Sequence, residues 1–167
     1  MKTVTLDHSA SKEVLYQDLT HSLEALLEGE SDALANLSNA AGLLGQALAR
    51  INWCGFYLWR NTELVLGPFQ GKPACVRIPL GQGVCGTSAE RRETLVVADV
   101  ETFPGHIACD PASRSEIVVP ILEKGELRGV LDIDAPEKNR FDEEDRAGLE
   151  RFVQVLVPLV NWEQLRT

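Results

Sequence analysis

The sequence predicts an α+β domain in which an antiparallel sheet carries helices on one face. Apolar residues recur at helical spacing near the start and the end of the chain, and at strand spacing between them. The chain has 167 residues, the size of one ordinary domain. No repeat, low-complexity segment or linker interrupts it, so we expect a single domain over residues 1–167.

Two helices are predicted before the first strand. Ser11 can cap the first helix, and Gly29 ends it. Its apolar stripe consists of Leu15, Leu19, Leu23, Leu26 and Leu27. Ser31 can cap the second helix, whose apolar residues step by threes and fours up to Leu48.

The middle of the chain predicts six strands, at residues 52–59, 63–69, 74–80, 94–98, 117–122 and 127–133. A short helix over 84–90 and a polar loop over 99–115 interrupt the series. At about seventeen residues the loop is longer than most connections, which makes it a functional candidate. A last helix begins at Asp142, and Pro158 kinks or ends it.

The charge of the chain excludes several classes of partner. The net charge is −9, which disfavours binding to nucleic acid or to anionic lipid.

No apolar run approaches the roughly 20 residues that span a bilayer. The first residues lack the apolar core of a signal peptide, so we expect a cytoplasmic protein.

The four cysteines are not arranged as a disulfide scaffold or a zinc ribbon. Cys54, Cys75, Cys85 and Cys109 contain no pair separated by two residues, which excludes a thioredoxin-type dithiol. His106 and Cys109 could join Cys75 and Cys85 around zinc, but compact ligand pairs normally nucleate such sites. We therefore expect no bound metal and no bound cofactor.

Two of the thiols are candidates for chemistry. Cys109 lies in the long loop between Gly105 and Pro111, where it is poorly placed to fill core, so it can be a reactive thiol. Cys85 lies near the start of the short helix, where free amides could lower its pKa. We expect Cys54, on a strand face that looks inward, to be core.

Acidic residues cluster on one predicted hairpin. Asp132 and Asp134 are two residues apart on a strand and share a face. Glu116 opens the neighbouring strand, so the pairing can place three acids on one wall. The spacing alone leaves open a solvated sheet face, a site for a cationic ligand or a metal, and a carboxyl group with a raised pKa. Metal is the weaker option because too few further oxygen ligands are available.

Aromatic residues cluster in the first strand. One of its faces carries Trp53, Gly55, Tyr57 and Trp59, and the other carries Cys54, Phe56 and Leu58. Aromatic residues in strands are usually core. Trp and Tyr beside a Gly can also form the wall of a pocket for an amphipathic ligand.

Six motifs follow one another along the chain, and we quote them in order: Asn52-Trp53-Cys54-Gly55-Phe56-Tyr57; Leu66-Gly67-Pro68-Phe69-Gln70-Gly71-Lys72-Pro73-Ala74-Cys75; Gly83-Val84-Cys85-Gly86-Thr87; Gly105-His106-Ile107-Ala108-Cys109-Asp110; Ser115-Glu116-Ile117-Val118; and Gly129-Val130-Leu131-Asp132-Ile133-Asp134. Together they resemble the free methionine-(R)-sulfoxide reductases, single-domain enzymes on the GAF fold. The resemblance covers essentially the whole chain. It implies a six-stranded antiparallel sheet flanked by N- and C-terminal helices, with a ligand pocket on one sheet face.

The resemblance also implies roles for individual residues. Cys109 matches the nucleophile, Cys75 the cysteine that resolves it as a disulfide, and Cys85 a third redox cysteine. The pocket acids match Glu116, Asp132 and Asp134, and the aromatic wall near the substrate methyl group matches Trp53 and Tyr57. Cys54 departs from the family pattern, which usually has a small non-thiol residue there.

The implied activity is reduction of free L-methionine (R)-sulfoxide, a product of oxidative stress. Asp134 or Glu116 would protonate the sulfoxide oxygen, and Cys109 would become a sulfenic acid. A disulfide with the resolving cysteine would then be reduced by thioredoxin or dithiothreitol. The resemblance further implies a homodimer. The alternatives are a GAF module that senses a small ligand without catalysis, and a thiol redox switch without a substrate.

Overall fold

The computed structural model describes residues 11–107 and 110–166. Four α-helices are present in these ranges: α1 Lys12–Leu27, α2 Ala33–Ala47, α3 Gly83–Arg91 and α4 Glu143–Leu156. The strands are β1 Trp53–Arg60, β2 Glu63–Gly71, β3 Arg77–Pro79, β4 Leu95–Val97, β5 Ser115–Glu123 and β6 Glu126–Ala135. They form one antiparallel sheet in the order β3-β2-β1-β6-β5-β4, which confirms the predicted α+β class. None of the described helices has the length and apolar character needed to cross a membrane.

The helix starts follow the capping signals, with one correction. The Ser11 side chain accepts a hydrogen bond from the Val14 amide at the start of α1, as predicted. For α2 the cap is Asp32, which accepts from the Ala35 amide, and not Ser31 as predicted. Asp142 and Asp145 form a capping box at the start of α4, and Pro158 follows the last residue of that helix.

One face of the sheet is buried under α1, α2 and α4. Apolar helix residues such as Leu19, Leu44 and Phe152 pack there against Phe56 and Leu131 of the central strands. Cys54 belongs to the same cluster, where it is fully buried and its thiol donates to the Ala41 carbonyl at 3.6 Å. Cys54 is therefore core, as predicted, and it lies on the sheet face opposite to that of Trp53 and Tyr57.

The opposite face is covered as well, which the prediction of helices on one face did not include. Helix α3 packs on this face through Val84 and Ala89, against Tyr57 and Val130 of the two central strands. Leu127 also packs on this face, although simple alternation placed it with Leu131. The pairing of β5 and β6 shifts register between Leu127 and Gly129, which reverses the direction of the Leu127 side chain.

The third strand is shorter than predicted. Pairing with β2 is confined to Arg77–Pro79, whereas the sequence predicted a strand over 74–80. The Cys75 carbonyl accepts a hydrogen bond from the Tyr57 hydroxyl at 3.0 Å. The segment over 72–75 thus leaves the sheet edge and borders the cavity described next.

Candidate active site

A cavity lies on the sheet face that carries α3. Its empty space amounts to about 520 Å³, part of it open to solvent. The cavity is bounded by the central strands, the 72–75 segment, the start of α3 and the loop before β5. The sequence-predicted residues that line it are Trp53, Tyr57, Cys85, Glu116, Asp132 and Asp134.

Strand pairing brings the three predicted acids onto one wall. Asp132 and Asp134 are two residues apart on β6, and Glu116 on β5 is directly paired with Asp134. Glu116 and Asp132 are each 6% exposed, and Asp134 is half-buried. A solvated sheet face, one of the alternatives left open by the spacing, is therefore excluded.

Burial raises the pKa of all three carboxyl groups. The pKa of Asp132 is raised to about 7 by burial. The pKa of Glu116 lies well above its usual range because of burial and the charges of Asp132 and Asp134. Burial, with the charges of Asp132 and Asp110, also raises the pKa of Asp134 well above its usual range. The cluster therefore binds protons more tightly than exposed carboxyl groups do, and its members titrate as one interacting group.

One oxygen of this cluster has no partner. Asp132 Oδ1 is buried and makes no hydrogen bond within the described part of the chain. A buried carboxylate oxygen without a donor is costly, and a cationic ligand in the cavity would compensate it. Cys85, Glu116 and Asp132 also offer donor atoms within 4.8 Å of one another, which is a possible metal-binding group.

The environment of Cys85 contradicts the prediction of a lowered pKa. Burial, together with the charges of Asp132 and Glu116, raises the pKa of the Cys85 thiol well above its usual value. The thiol donates to Glu116 Oε1 at 3.9 Å. The amides at the start of α3 therefore do not dominate, because the thiol lies among carboxyl groups and away from water.

The aromatic wall also anchors the segment that carries Cys75. The rings of Trp53 and Tyr57 stack with their centroids 5.9 Å apart. Trp53 Nε1 donates to the Lys72 carbonyl at 3.1 Å, and the Tyr57 hydroxyl donates to the Cys75 carbonyl. The sequence predicted the wall but not these two bonds, which join residues about 18 positions apart.

The described cysteines differ in oxidation state. Cys75 is disulfide-bonded, whereas Cys54 and Cys85 are free thiols. The predicted nucleophile, Cys109, lies outside the described residues. Ile107 and Asp110, which are described, both line the cavity.

Four residues near the predicted nucleophile were not recognised from the sequence as part of this site. His106 was considered only as a zinc ligand, but its Nε2 lies 3.8 Å from Glu116 Oε2, and burial lowers its pKa. Asn52 donates from Nδ2 to Asp110 Oδ2 at 3.1 Å and to Ser113 Oγ at 3.0 Å. The available signal was position, because Asn52 directly precedes β1 and Asp110 directly follows Cys109.

Replacing Asn52 by Ala should lower turnover more than substrate binding. Asn52 ties the loop at Asp110 and Ser113 to the sheet, so its loss leaves the neighbourhood of Cys109 less well ordered. Losing a hydrogen bond to a charged group costs about 1.5–3 kcal/mol, so we expect kcat to fall roughly tenfold or more. KM should change less than about threefold, since Asn52 does not line the cavity. A variant with unchanged kcat would contradict the anchoring role, and Asn52→Asp tests whether the amide donor is what matters.

Comparison with known proteins places the chain in a family. Residues 20–157 match the GAF domain family. The free methionine-R-sulfoxide reductase of Escherichia coli (strain K12) is 51% identical over 146 residues, which cover 87% of this chain and 88% of that protein. This chain belongs to the free methionine-R-sulfoxide reductase family. The family predicted from the motifs is therefore confirmed, and with it the expectation of an oxidoreductase.

Other free methionine-R-sulfoxide reductases extend the comparison. The protein of that name from Saccharomyces cerevisiae (strain ATCC 204508 / S288c) is 44% identical over 161 residues, covering 92% of this chain and 89% of that protein. The X-ray structure of the Neisseria meningitidis reductase, in complex with its substrate, has a TM-score of 0.90 and 42% identity. That match covers 98% of this chain and 99% of the Neisseria chain, so the shared fold extends over nearly the whole length.

Proposed function

We propose that this chain reduces free L-methionine (R)-sulfoxide to L-methionine in the cavity described above. The observation that carries the proposal is the buried group of three acids, with its unpartnered Asp132 oxygen, on a cavity walled by Trp53 and Tyr57. A zwitterionic amino acid with a methyl-bearing side chain offers an ammonium group for the acids and an apolar end for the aromatic rings. Membership of the reductase family supports this choice of ligand.

The substrate ammonium would pair with Asp132. The buried Asp132 Oδ1 has no partner among the described residues, so it can accept a hydrogen bond from the ammonium group. Such a charged hydrogen bond contributes about 1.5–3 kcal/mol. Trp53 and Tyr57 would contact the methyl group, because their stacked rings belong to the apolar part of the lining.

A neutral carboxyl group would activate the sulfoxide. Glu116 and Asp134 both have pKa values raised well above the usual range, so each can hold a proton at neutral pH. Either can donate this proton to the sulfoxide oxygen. The proton is needed because the sulfur of an unprotonated sulfoxide is a poor electrophile. His106 lies beside Glu116 and is neutral because burial lowers its pKa, so it leaves the Glu116 proton in place.

The redox steps use the cysteines. The Cys109 thiolate attacks the sulfoxide sulfur, the oxygen passes to the cysteine, and methionine leaves, so that a thiol and a sulfoxide become a sulfenic acid and a thioether. A second thiol condenses with the sulfenic acid and releases water. Cys75 is our candidate for this step, because it matches the resolving cysteine of the reductase family and is disulfide-bonded in the structure.

Recycling would require an external dithiol. Thioredoxin, or dithiothreitol in vitro, reduces the disulfide by exchange and is itself oxidised. No other bound cofactor is needed, because the cysteines carry both electrons. Cys85 is the candidate for a further redox cysteine. We also propose a homodimer in the cytoplasm, a compartment whose reductants keep thiols reduced.

The test is methionine formation from each sulfoxide epimer. We expect the purified protein to convert free L-methionine (R)-sulfoxide in the presence of dithiothreitol and to leave the S epimer unchanged. A ligand sensor would bind the compound without forming methionine, and a redox switch would form its disulfide without consuming it. Absence of methionine formation from the R epimer would contradict the proposal.

The rate of a single turnover should fall at high pH. The proton donor must be protonated, and the raised pKa values of Glu116 and Asp134 keep it so up to a pH well above the ordinary range of carboxyl groups. Above that pH the donor is lost and the rate declines. We expect Glu116→Gln or Asp134→Asn to remove this decline along with most of the activity. A rate that shows no decline at any pH at which the protein stays folded would contradict carboxyl donation.

A further inference from the structure

Cys85 is a buried thiol that the proposed nucleophilic step does not use. Its sulfur and the carboxylate oxygens of Glu116 and Asp132 lie within 4.8 Å of one another, and all three residues are buried. Glu116 is central in this group, since Oε1 lies 3.9 Å from Cys85 Sγ and Oε2 lies 3.8 Å from His106 Nε2. Sulfur and oxygen donors therefore converge on one end of the cavity, and the His106 nitrogen lies beside Glu116.

These spacings suit a small divalent metal. With bonds of 2.0–2.3 Å, the donors of a tetrahedral zinc ion lie about 3.3–3.8 Å apart. The 3.9 Å between Cys85 Sγ and Glu116 Oε1 is close to that range, and the other donors of the group, within 4.8 Å, would have to approach by up to about 1 Å. Calcium and magnesium prefer sites made entirely of oxygen ligands, whereas a thiolate among the donors favours zinc.

A separate observation points to a cationic ligand at this group. Asp132 Oδ1 is buried and has no hydrogen-bond partner among the described residues, although it belongs to a residue that lines the cavity. No Lys or Arg side chain is paired with Glu116 or Asp132 in the described part of the chain. A cation in the cavity would bind the unpartnered Asp132 oxygen and offset the negative charge of the carboxylates.

We propose that Cys85, Glu116 and Asp132 form a binding site for Zn²⁺ and that the bound metal excludes the substrate. The metal and the substrate ammonium need the same Asp132 oxygen, so they cannot bind together. The identity of the excluded ligand rests on the proposed function, whereas the metal site itself does not. Binding must displace the protons of the thiol and the carboxyl groups, so the affinity for Zn²⁺ should rise with pH.

The experiment is a Zn²⁺ titration of the Cys75→Ser/Cys109→Ser variant in a phosphine reductant, which does not compete strongly for the metal. This background retains only Cys54 and Cys85 as thiols and does not consume the substrate. We expect one ion per chain by calorimetry. Adding Cys85→Ser should lower the affinity at least about tenfold, while Cys54→Ser, a buried thiol on the other sheet face, should leave it unchanged.

Cobalt supplies a direct readout of the sulfur ligand. Co²⁺ in place of Zn²⁺ should give a thiolate-to-metal charge-transfer absorption, present with Cys54→Ser and absent with Cys85→Ser. Glu116→Gln gives a second test of affinity if Cys85→Ser does not fold, which circular dichroism would reveal. Free methionine sulfoxide should weaken the apparent affinity for the metal in proportion to its concentration.

Each result has a defined meaning. Absence of Zn²⁺ binding, or binding that Cys85→Ser and Glu116→Gln leave unchanged, would overturn the site. Binding that methionine sulfoxide does not weaken would overturn the exclusion of substrate. If the wild-type protein binds Zn²⁺ as described but forms no methionine from the sulfoxide, the proposed function fails and the metal site stands.

Discussion

Cys109→Ser should abolish methionine formation, with a loss of at least about 10³-fold, because a serine hydroxyl is far less acidic and less nucleophilic than a thiol. The measurement is methionine released from free L-methionine (R)-sulfoxide with dithiothreitol in excess. Cys75→Ser should still give about one methionine per protein in a single turnover, since the resolving thiol acts only after methionine has left. It should, however, fail to cycle with thioredoxin.

A matched control separates loss of the nucleophile from loss of any thiol. Cys54 is fully buried on the face of the sheet opposite to that of Trp53 and Tyr57. Cys54→Ser should therefore retain wild-type turnover within about threefold. Full activity in Cys109→Ser, or equal losses in Cys54→Ser and Cys109→Ser, would contradict the assignment of the nucleophile.

Asp132→Asn should inactivate the protein and stabilise it. Removing one partner of a buried charge pair costs about 2–5 kcal/mol, so we expect kcat/KM to fall by roughly 30-fold to several thousandfold. The loss should be in substrate affinity as well as turnover, because the carboxylate is the partner of the ammonium group. Asn keeps the size of the side chain, so the cavity should retain its shape.

The stability gain follows from the raised pKa. In the unfolded chain Asp132 ionises near pH 4, whereas burial raises its pKa in the folded protein to about 7. Folding is therefore favoured by protonation of this group, and that contribution is lost as pH rises through about 7. Asn has no such loss, so at pH 8 the variant should be more stable by roughly 1–4 kcal/mol.

Urea unfolding of the reduced proteins at two pH values checks this prediction. The advantage of Asp132→Asn should be large at pH 8 and small at pH 5, where the folded wild-type protein keeps the proton. Equal advantages at both pH values would indicate a packing effect instead. A variant that is less stable than the wild type at pH 8 would contradict the account of burial.

The sequence predicted the acidic wall because strand alternation has a fixed period of two. Asp132 and Asp134 had to share a face, and the pairing of Glu116 with Asp134 followed from a short hairpin. Spacing could not show that this wall is buried. Burial depends on α3 and the 72–75 segment, which fold over the sheet. The contacts that they make join parts of the chain that are distant in sequence.

Local sequence patterns do not show contacts between distant parts of the chain, and this explains the predictions that were wrong or missing. The pKa of Cys85 was predicted from its position on a helix, but carboxyl groups on β5 and β6 determine it. The contact between Asn52 and Asp110 spans 58 residues, so no local pattern indicates it. Ser31 and Asp32 are both good caps, and choosing between them required the helix geometry.

The most direct test of the central claim compares free methionine (R)-sulfoxide with its N-acetylated form. Acetylation removes the ammonium group and leaves the sulfoxide unchanged, so any difference reports recognition by the acidic wall. The account predicts that kcat/KM for the N-acetylated compound is lower by at least about 10²-fold, as expected when a buried carboxylate loses its charged partner. Comparable turnover of the two compounds would contradict it.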